Sequence, residues 1–440
     1  MDSKKILRPN PNVEEDLAHA TKMDSAMLSR VKAYATVKRK SVKFCHCEDT
    51  RSSGVAPLLK LNDGRSVPSF GLGTWLGFSS QGGRVEPTGH EVEDAVIWAI
   101  DAGYRHIDTA HIYDTETQVG RAIKKKISDG TVKREDLFVT TKLWNDKHAP
   151  EAVLPALRAS LLKLDLEYVD LYLIHWPVAI FPNGSLDNSI DYVDTWRAMQ
   201  EARAQGLTRS IGVSNFNEGM LRRLAASSPV VPAMLQVEVC TSRTLRSPHS
   251  RGCHAWTASG PLGDSPLFAA IVTTRKFVEH VRSTRCQRGV HPWTTCRRVD
   301  AESRGGAGRL NLNLQQPSLL AYCRQQNIKV TAYTPFGSLF PSKAAPHAPP
   351  PRVDDPALVA MATKYNKTVP QVALRYLLDL GVIPIPKSVT QSRVQQNIQL
   401  FDFSLTPEEK QTLQKFDRGY RTIDVLHWKD SPYYPFEKPV

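Results

Sequence analysis

No apolar run in the 440 residues reaches the roughly 18 that a membrane-spanning helix needs. The first 30 residues lack the apolar stretch of a secretory leader and carry Asp2, Glu14, Glu15 and Asp16 instead. Membrane insertion and secretion are therefore not expected. Cysteine is scarce: the seven present are odd in number and irregularly spaced, which argues against a disulfide framework and for a reducing, cytoplasmic compartment. Finger spacing is missing as well. Cys45-His46-Cys47 has no second pair to complete it, so no metal is expected.

What is present in excess is positive charge, a formal +13, and its location decides its meaning. Residues 1–57 carry +4 and residues 240–313 carry +8, leaving +1 for all the rest. The 240–313 segment holds eleven Arg, one Lys and four of the cysteines, and only Leu267 to Val281 could make a helix. A stretch of that length with no sustained period of 2 or 3.6 is not an ordinary loop. It is read as a disordered insertion foreign to the parent fold, and residues 1–57, with Lys38-Arg39-Lys40, as a poorly ordered extension. Neither basic segment interleaves aromatics at regular spacing, so nucleic acid is not an expected partner.

The remainder alternates. Strand patterns at Phe70 to Trp75, His106 to Ala110, Leu137 to Leu143, Val169 to Trp176, Arg209 to Ser214, Met234 to Val239, Lys329 to Thr334 and Val382 to Pro386 are separated by helical patterns. Those include Glu91 to Ala102, Thr115 to Lys125, Glu151 to Leu164, Tyr192 to Gln205, Gln316 to Gln325 and Pro370 to Leu380, several closed by glycine. Setting 240–313 aside brings the one overlong interval back into line with its neighbours. Eight βα units over residues 58–440 predict an α/β (β/α)8 TIM barrel. The Asp-Gly turn in Leu61-Asn62-Asp63-Gly64-Arg65 predicts a hairpin ahead of it. Gly71-Leu72-Gly73-Thr74-Trp75-Leu76-Gly77 nearly spells a dinucleotide fingerprint, but its third glycine is one place late and no helix starts there.

A barrel builds its site at the strand C-termini, so polar residues ending apolar strands are the candidates. Asp108 ends the second strand, with Tyr113 just beyond it; Lys142 ends the third and His175 the fourth. Singly, each has a structural reading as a cap, a half-buried aromatic, a solvated end or a core histidine.

Together the strings Gly103-Tyr-Arg-His-Ile-Asp108-Thr-Ala with Tyr113, Thr141-Lys142-Leu-Trp144, Leu173-Ile-His175-Trp-Pro177, Ile211-Gly-Val-Ser-Asn-Phe216 and Ile385-Pro-Lys-Ser388 resemble the aldo-keto reductase family, in its aldehyde- and aldose-reductase branch. The resemblance covers about residues 58–239 and 314–440. It implies a monomeric, NADPH-dependent oxidoreductase that reduces small-molecule aldehydes and ketones to alcohols. Tyr113 is then the general acid, Lys142 the cation that lowers its pKa, Asp108 the partner of Lys142, and His175 the residue that orients the substrate oxygen and at low pH shares in proton delivery. Trp75, Trp144 and Trp176, with His175, would line an aromatic substrate site. For the cofactor, the resemblance implies Ser214, Asn215 and Gln236 around the nicotinamide and Tyr333 stacked on it, with Thr74 and Ser338 also among the cofactor-binding residues. Lys387, Ser388 and Arg393 would take the 2′-phosphate, with Gln396 and Asn397 at the adenine.

Two departures from the family stand out. Its His-Pro-Tyr after the sixth strand is missing, replaced by the basic segment, and the loop after strand seven runs into Leu339-Phe340-Pro341 without the usual acidic clamp. An alternative reading follows from the first: a catalytically impaired splice or gene-model variant that keeps the barrel as a cofactor-binding scaffold.

Overall fold

The computed structural model describes residues 55–78, 83–238, 312–341, 344–420 and 425–436. Cys45-His46-Cys47, Lys38-Arg39-Lys40 and the 239–311 stretch lie outside the described residues. A hairpin comes first: β1 (Leu58–Lys60) and β2 (Ser66–Pro68) pair antiparallel. Its turn is the Asp-Gly one, with Leu61 N–H donating to Arg65 O at 2.8 Å and Gly64 at φ +85°, a conformation that favours glycine.

Eight parallel strands follow: β3 (Leu72–Gly73), β4 (His106–Asp108), β5 (Phe138–Leu143), β6 (Val169–Ile174), β7 (Thr208–Ser214), β8 (Met234–Val237), β9 (Lys329–Tyr333) and β10 (Val382–Ile385). Each pairs with its sequence neighbour. The ring closes where Gly71 N–H donates to Pro384 O at 3.1 Å and Gly73 N–H to Pro386 O at 3.2 Å. A side chain cannot stand at that seam, since a Cβ on Gly73 would lie 2.8 Å from Ile385 O. The chain is thus a (β/α)8 barrel with an N-terminal hairpin. Strand ends fall one or two residues short of the sequence expectation at Ala110, Trp176 and Thr334, where the backbone has left the ladder.

The helices are α1 (Glu91–Asp101), α2 (Glu116–Ser128), α3 (Pro150–Leu164), α4 (Tyr192–Ala204), α5 (Glu218–Ser227), α6 (Pro317–Gln325), α7 (Pro356–Lys364), α8 (Val369–Asp379), α9 (Gln391–Asn397) and α10 (Pro407–Gln414). Side-chain caps fix several starts: Asp191 accepts from Val193 N–H, Asn217 from Met220 N–H, and Thr368 and Gln371 form a capping box. No helix among the described residues is long and apolar enough to cross a membrane.

Strand alternation explains the core and the site at once. Val139, Tyr172, Ile174, Ile211, Val213, Leu235, Val237 and Val330 point outward into the helices. Residues of opposite parity, Phe138, Leu171, Leu173, Met234 and Ile383, fill the lumen, where Leu61 and Val67 of the hairpin join them. Continuing each inward row toward the strand C-terminus leads from Phe138 to Lys142, from Leu171 to His175 and from Met234 to Gln236. The sites therefore sit on rigid strands above an apolar plug.

Two boundaries move. Val55 N–H donates to Gly103 O at 3.2 Å and Ala56 is buried in the core, so residues 55–57 belong to the barrel rather than to the extension. Leu312 and Asn313, placed with the insertion by composition, are buried in the body. The Asn313 carbonyl accepts from Arg418 N–H at 3.0 Å and Tyr420 N–H at 3.3 Å, its Oδ1 accepts from Ser338 at 2.8 Å, and its Nδ2 donates to Pro350 O. Across the interruption, Gln316 Nε2 donates to Glu238 O, tying the start of α6 to the residue after β8.

Candidate active site

Lys142 is completely buried at the lumen end of β5. A buried ammonium must be paired and hydrogen-bonded. Its Nζ donates to Asp108 Oδ1 at 2.6 Å and to Thr109 O at 2.9 Å. The other Asp108 oxygen accepts from Gln236 Nε2 at 2.6 Å. Burial pushes Asp108 up and Lys142 down; their mutual attraction opposes both shifts.

Tyr113 ends the single 3-10 turn His111–Tyr113 that follows β4, and the chain leaves it through Asp114 in the left-handed region at φ +56°. That turn swings the phenol back over the barrel mouth, with Lys142 Nζ 4.8 Å from the ring centroid. Trp75 stacks on Tyr113 at 6.2 Å, and the His175 ring meets Tyr113 edge-on at 5.6 Å. All four expected residues thus converge.

Burial first, and then Asp108 and Tyr333, hold the Tyr113 phenol well above its ordinary value, so it is protonated at neutral pH. The hydrogen bonds of the neighbouring Lys142 ammonium go to Asp108 and Thr109.

His175 is 7% exposed, held by Asn215 Nδ2 donating to its carbonyl at 2.8 Å. Burial, then Lys142 and His148, keep its proton affinity well below the usual histidine value. It is a neutral imidazole at neutral pH. Its Nδ1 has no hydrogen-bond partner among the described residues.

Trp75 and Trp144 are partly exposed beside these groups, Trp144 meeting His175 at 5.2 Å. Trp176 is buried and packs on Trp428 at 5.5 Å and Phe436 at 6.0 Å, so it backs the wall.

The polar residues expected at the nicotinamide lie on adjoining strand ends. Ser214 pairs in register with Gln236. Asn215, at φ +62°, donates from Nδ2 to Ser214 Oγ at 3.1 Å and accepts from Tyr333 OH at 2.7 Å. Thr74 Oγ1 donates to Asp108 O at 3.0 Å. With Nε2 committed to Asp108, Gln236 keeps Oε1 as an acceptor, and the partly exposed Tyr333 ring is clamped by its hydroxyl. This donor and acceptor set fits a planar ring bearing an amide. Lys387 bridges to Gly73 at the barrel seam, followed by Ser388; Arg393 and Gln396 are exposed and Asn397 buried on α9. Ser338 differs. Its buried hydroxyl is engaged inside its own loop with Asn313 and Pro349 O, which makes that side chain an anchor.

Sequence reasoning missed a buried polar layer behind the site. Glu116 is 0% exposed and accepts from Thr141 Oγ1 at 2.7 Å. Thr115 Oγ1 lies 3.1 Å from both Thr74 and Thr109 hydroxyls. Asn145 and His148 are buried with side-chain atoms lacking partners among the described residues. Glu116 resembles any acidic residue opening a helix; only burial sets it apart.

The Aldo/keto reductase family profile matches residues 69–255 and 308–418. The chain is 43% identical to the aldo-keto reductase AKR2E4 of Bombyx mori over 86% of this chain and 98% of that one. It is 35% identical to aldo-keto reductase family 1 member A1 of Xenopus tropicalis, over 86% and 97%. Among solved structures, the Bombyx mori AKR2E4 complex with NADP aligns with a TM-score of 0.67 at 42% identity, covering 87% of this chain and 99% of that one. The aldose reductase of Schistosoma japonicum aligns at 0.63 and 31% identity, over 87% and 100%.

Proposed function

Because the chain belongs to the aldo/keto reductase family, an NADP-dependent class of oxidoreductases acting on carbonyl groups, we propose that it reduces aldehydes and ketones to alcohols with NADPH, using Tyr113 as general acid. The single observation that carries this reading is the convergence of Asp108, Lys142, Tyr113 and His175 at one end of the lumen.

When bound, NADPH supplies the hydride that reduces the carbonyl carbon. The chain's residues handle the oxygen. Tyr113, protonated at neutral pH, donates its proton as negative charge grows on that oxygen. The phenolate left behind faces Lys142, whose ammonium stabilises it, and Asp108 keeps the ammonium in place. Neutral His175 donates an N–H to the same oxygen and sets the angle of the carbonyl. Trp75 and Trp144 exclude water and favour apolar or aromatic aldehydes. Ser214, Asn215, Gln236 and Tyr333 would hold the nicotinamide, and Lys387, Ser388 and Arg393 the 2′-phosphate, with Gln396 and Asn397 at the adenine.

The test is NADPH consumption with a panel of aliphatic and aromatic aldehydes, on the full chain and on a variant lacking residues 240–311. Oxidation of NADPH matched by alcohol formation in the full chain supports the reading. Activity confined to the shortened variant would favour the impaired-scaffold alternative.

A further inference from the structure

We propose that Phe78 is a specificity-determining residue, extending the aromatic wall of the site so that it takes carbonyl compounds carrying a long apolar tail. This deepens the functional reading above and rests on it. The rings form a row. Tyr113 stacks on Trp75 at 6.2 Å, and the Phe78 ring meets the same indole edge-on at 5.2 Å, both within the range of an attractive aromatic pair. Exposure rises along the row: Tyr113 and Trp75 are partly buried, whereas Phe78 is 47% exposed. A single exposed Phe is ordinary on a protein surface. This one touches a ring that itself touches the proposed proton donor, so the apolar surface it leaves in water is continuous with the wall beside Tyr113.

Local structure fixes the ring there. Gly77 turns the chain at φ +94°, its carbonyl accepts from Val85 N–H at 2.9 Å, and Phe78 bridges antiparallel to Arg84. The Arg84 guanidinium in turn pairs with the carboxylate of Asp114, the residue that follows Tyr113. The segment is thus held against the His111–Tyr113 turn at two points, Trp75 on Tyr113 and Arg84 on Asp114. A ring held by main-chain bonds and an ion pair loses little freedom when a ligand covers it, so the cost of binding there is low. A short aldehyde, with its oxygen between Tyr113 and His175, is covered by those rings together with Trp75 and Trp144. A longer apolar tail running along Trp75 reaches Phe78 and buries the area that the short one leaves in water.

The experiment measures kcat and KM with butanal and with decanal, for the full-length protein, Phe78→Ala and Phe78→Leu, at saturating NADPH. The readout is the ratio of kcat/KM for decanal to that for butanal. Each methylene buried is worth about fourfold in binding, so in Phe78→Ala the ratio should fall by about fivefold or more. The loss should sit in KM for decanal and not in kcat, because a tail distant from the reacting carbon is bound alike in the ground and transition states. Phe78→Leu, which returns apolar area without the ring, should recover most of the ratio. A ratio unchanged in Phe78→Ala, or equal losses with the two aldehydes, overturns the proposal and leaves the functional reading standing. If the full-length protein reduces neither aldehyde while Phe78→Ala also reduces neither, the functional reading falls and this inference falls with it.

Discussion

The ammonium of Lys142 lies 4.8 Å from the ring centroid of Tyr113, over the face of the phenol, while its hydrogen bonds go to Asp108 and Thr109. In the proposed reaction it would act on Tyr113 through space, most strongly after the phenol has lost its proton. Lys142→Met should abolish most reduction and also strand Asp108 as a buried charge, costing about 3–5 kcal/mol of stability. Asp108→Asn in the same background should recover much of the stability and none of the turnover, as read by urea denaturation and steady-state rates.

Lys387 and Arg393 flank the barrel seam and the first turns of α9. Replacing both by Ala should weaken NADPH binding by at least tenfold and NADH binding by less than threefold, because only NADPH presents a 2′-phosphate to pair with them. Equal losses in a fluorescence titration would mean that the phosphate lies elsewhere.

His148 is pushed down to about 4 by burial, and His175 well below its ordinary value. Above pH ~6.5 neither is protonated, folded or unfolded. Below it the unfolded chain takes up protons that the folded one refuses, so stability falls with decreasing pH by about 1.4 kcal/mol per unit per histidine until the folded value is reached. Denaturation at pH 7.5 and 5 should show the loss, and His148→Gln should remove His148's share of the slope.

Asn313 joins three separate segments through Ser338, Pro350, Arg418 and Tyr420. Asn313→Ala keeps the main-chain bonds but removes the side-chain bonds to Ser338 and Pro350 from a buried position, and should cost about 1–3 kcal/mol. Deleting residues 240–311 with Asn313 retained should leave the melting temperature at or above that of the full chain; deleting through residue 313 should lower it.

The barrel was legible because parallel strands covered on both faces read as β-branched runs at repeat spacing, and Asp108, Lys142 and His175 stood out as the polar ends of such runs. Tyr113 became legible only with its neighbours, since a turn and not a strand carries it. Composition misplaced Leu312 and Asn313: Asn313 is polar and was grouped with an Arg-rich stretch, although the residue is only 1% exposed. The raised proton affinity of Tyr113 was not legible, because it depends on burial and on Asp108 and Tyr333 around the ring. Glu116 and His148 were hidden for a related reason, burial being a property of the assembled layer between strand and helix.

The most direct test of the account is the turnover of Tyr113→Phe measured beside its NADPH affinity. The variant removes one hydroxyl and leaves Trp75, Lys142 and His175 around an unchanged ring. Reduction of the best aldehyde should fall at least a hundredfold, with NADPH fluorescence binding within about threefold of the parent. Turnover within tenfold of the parent would contradict the assignment of Tyr113 as the proton donor.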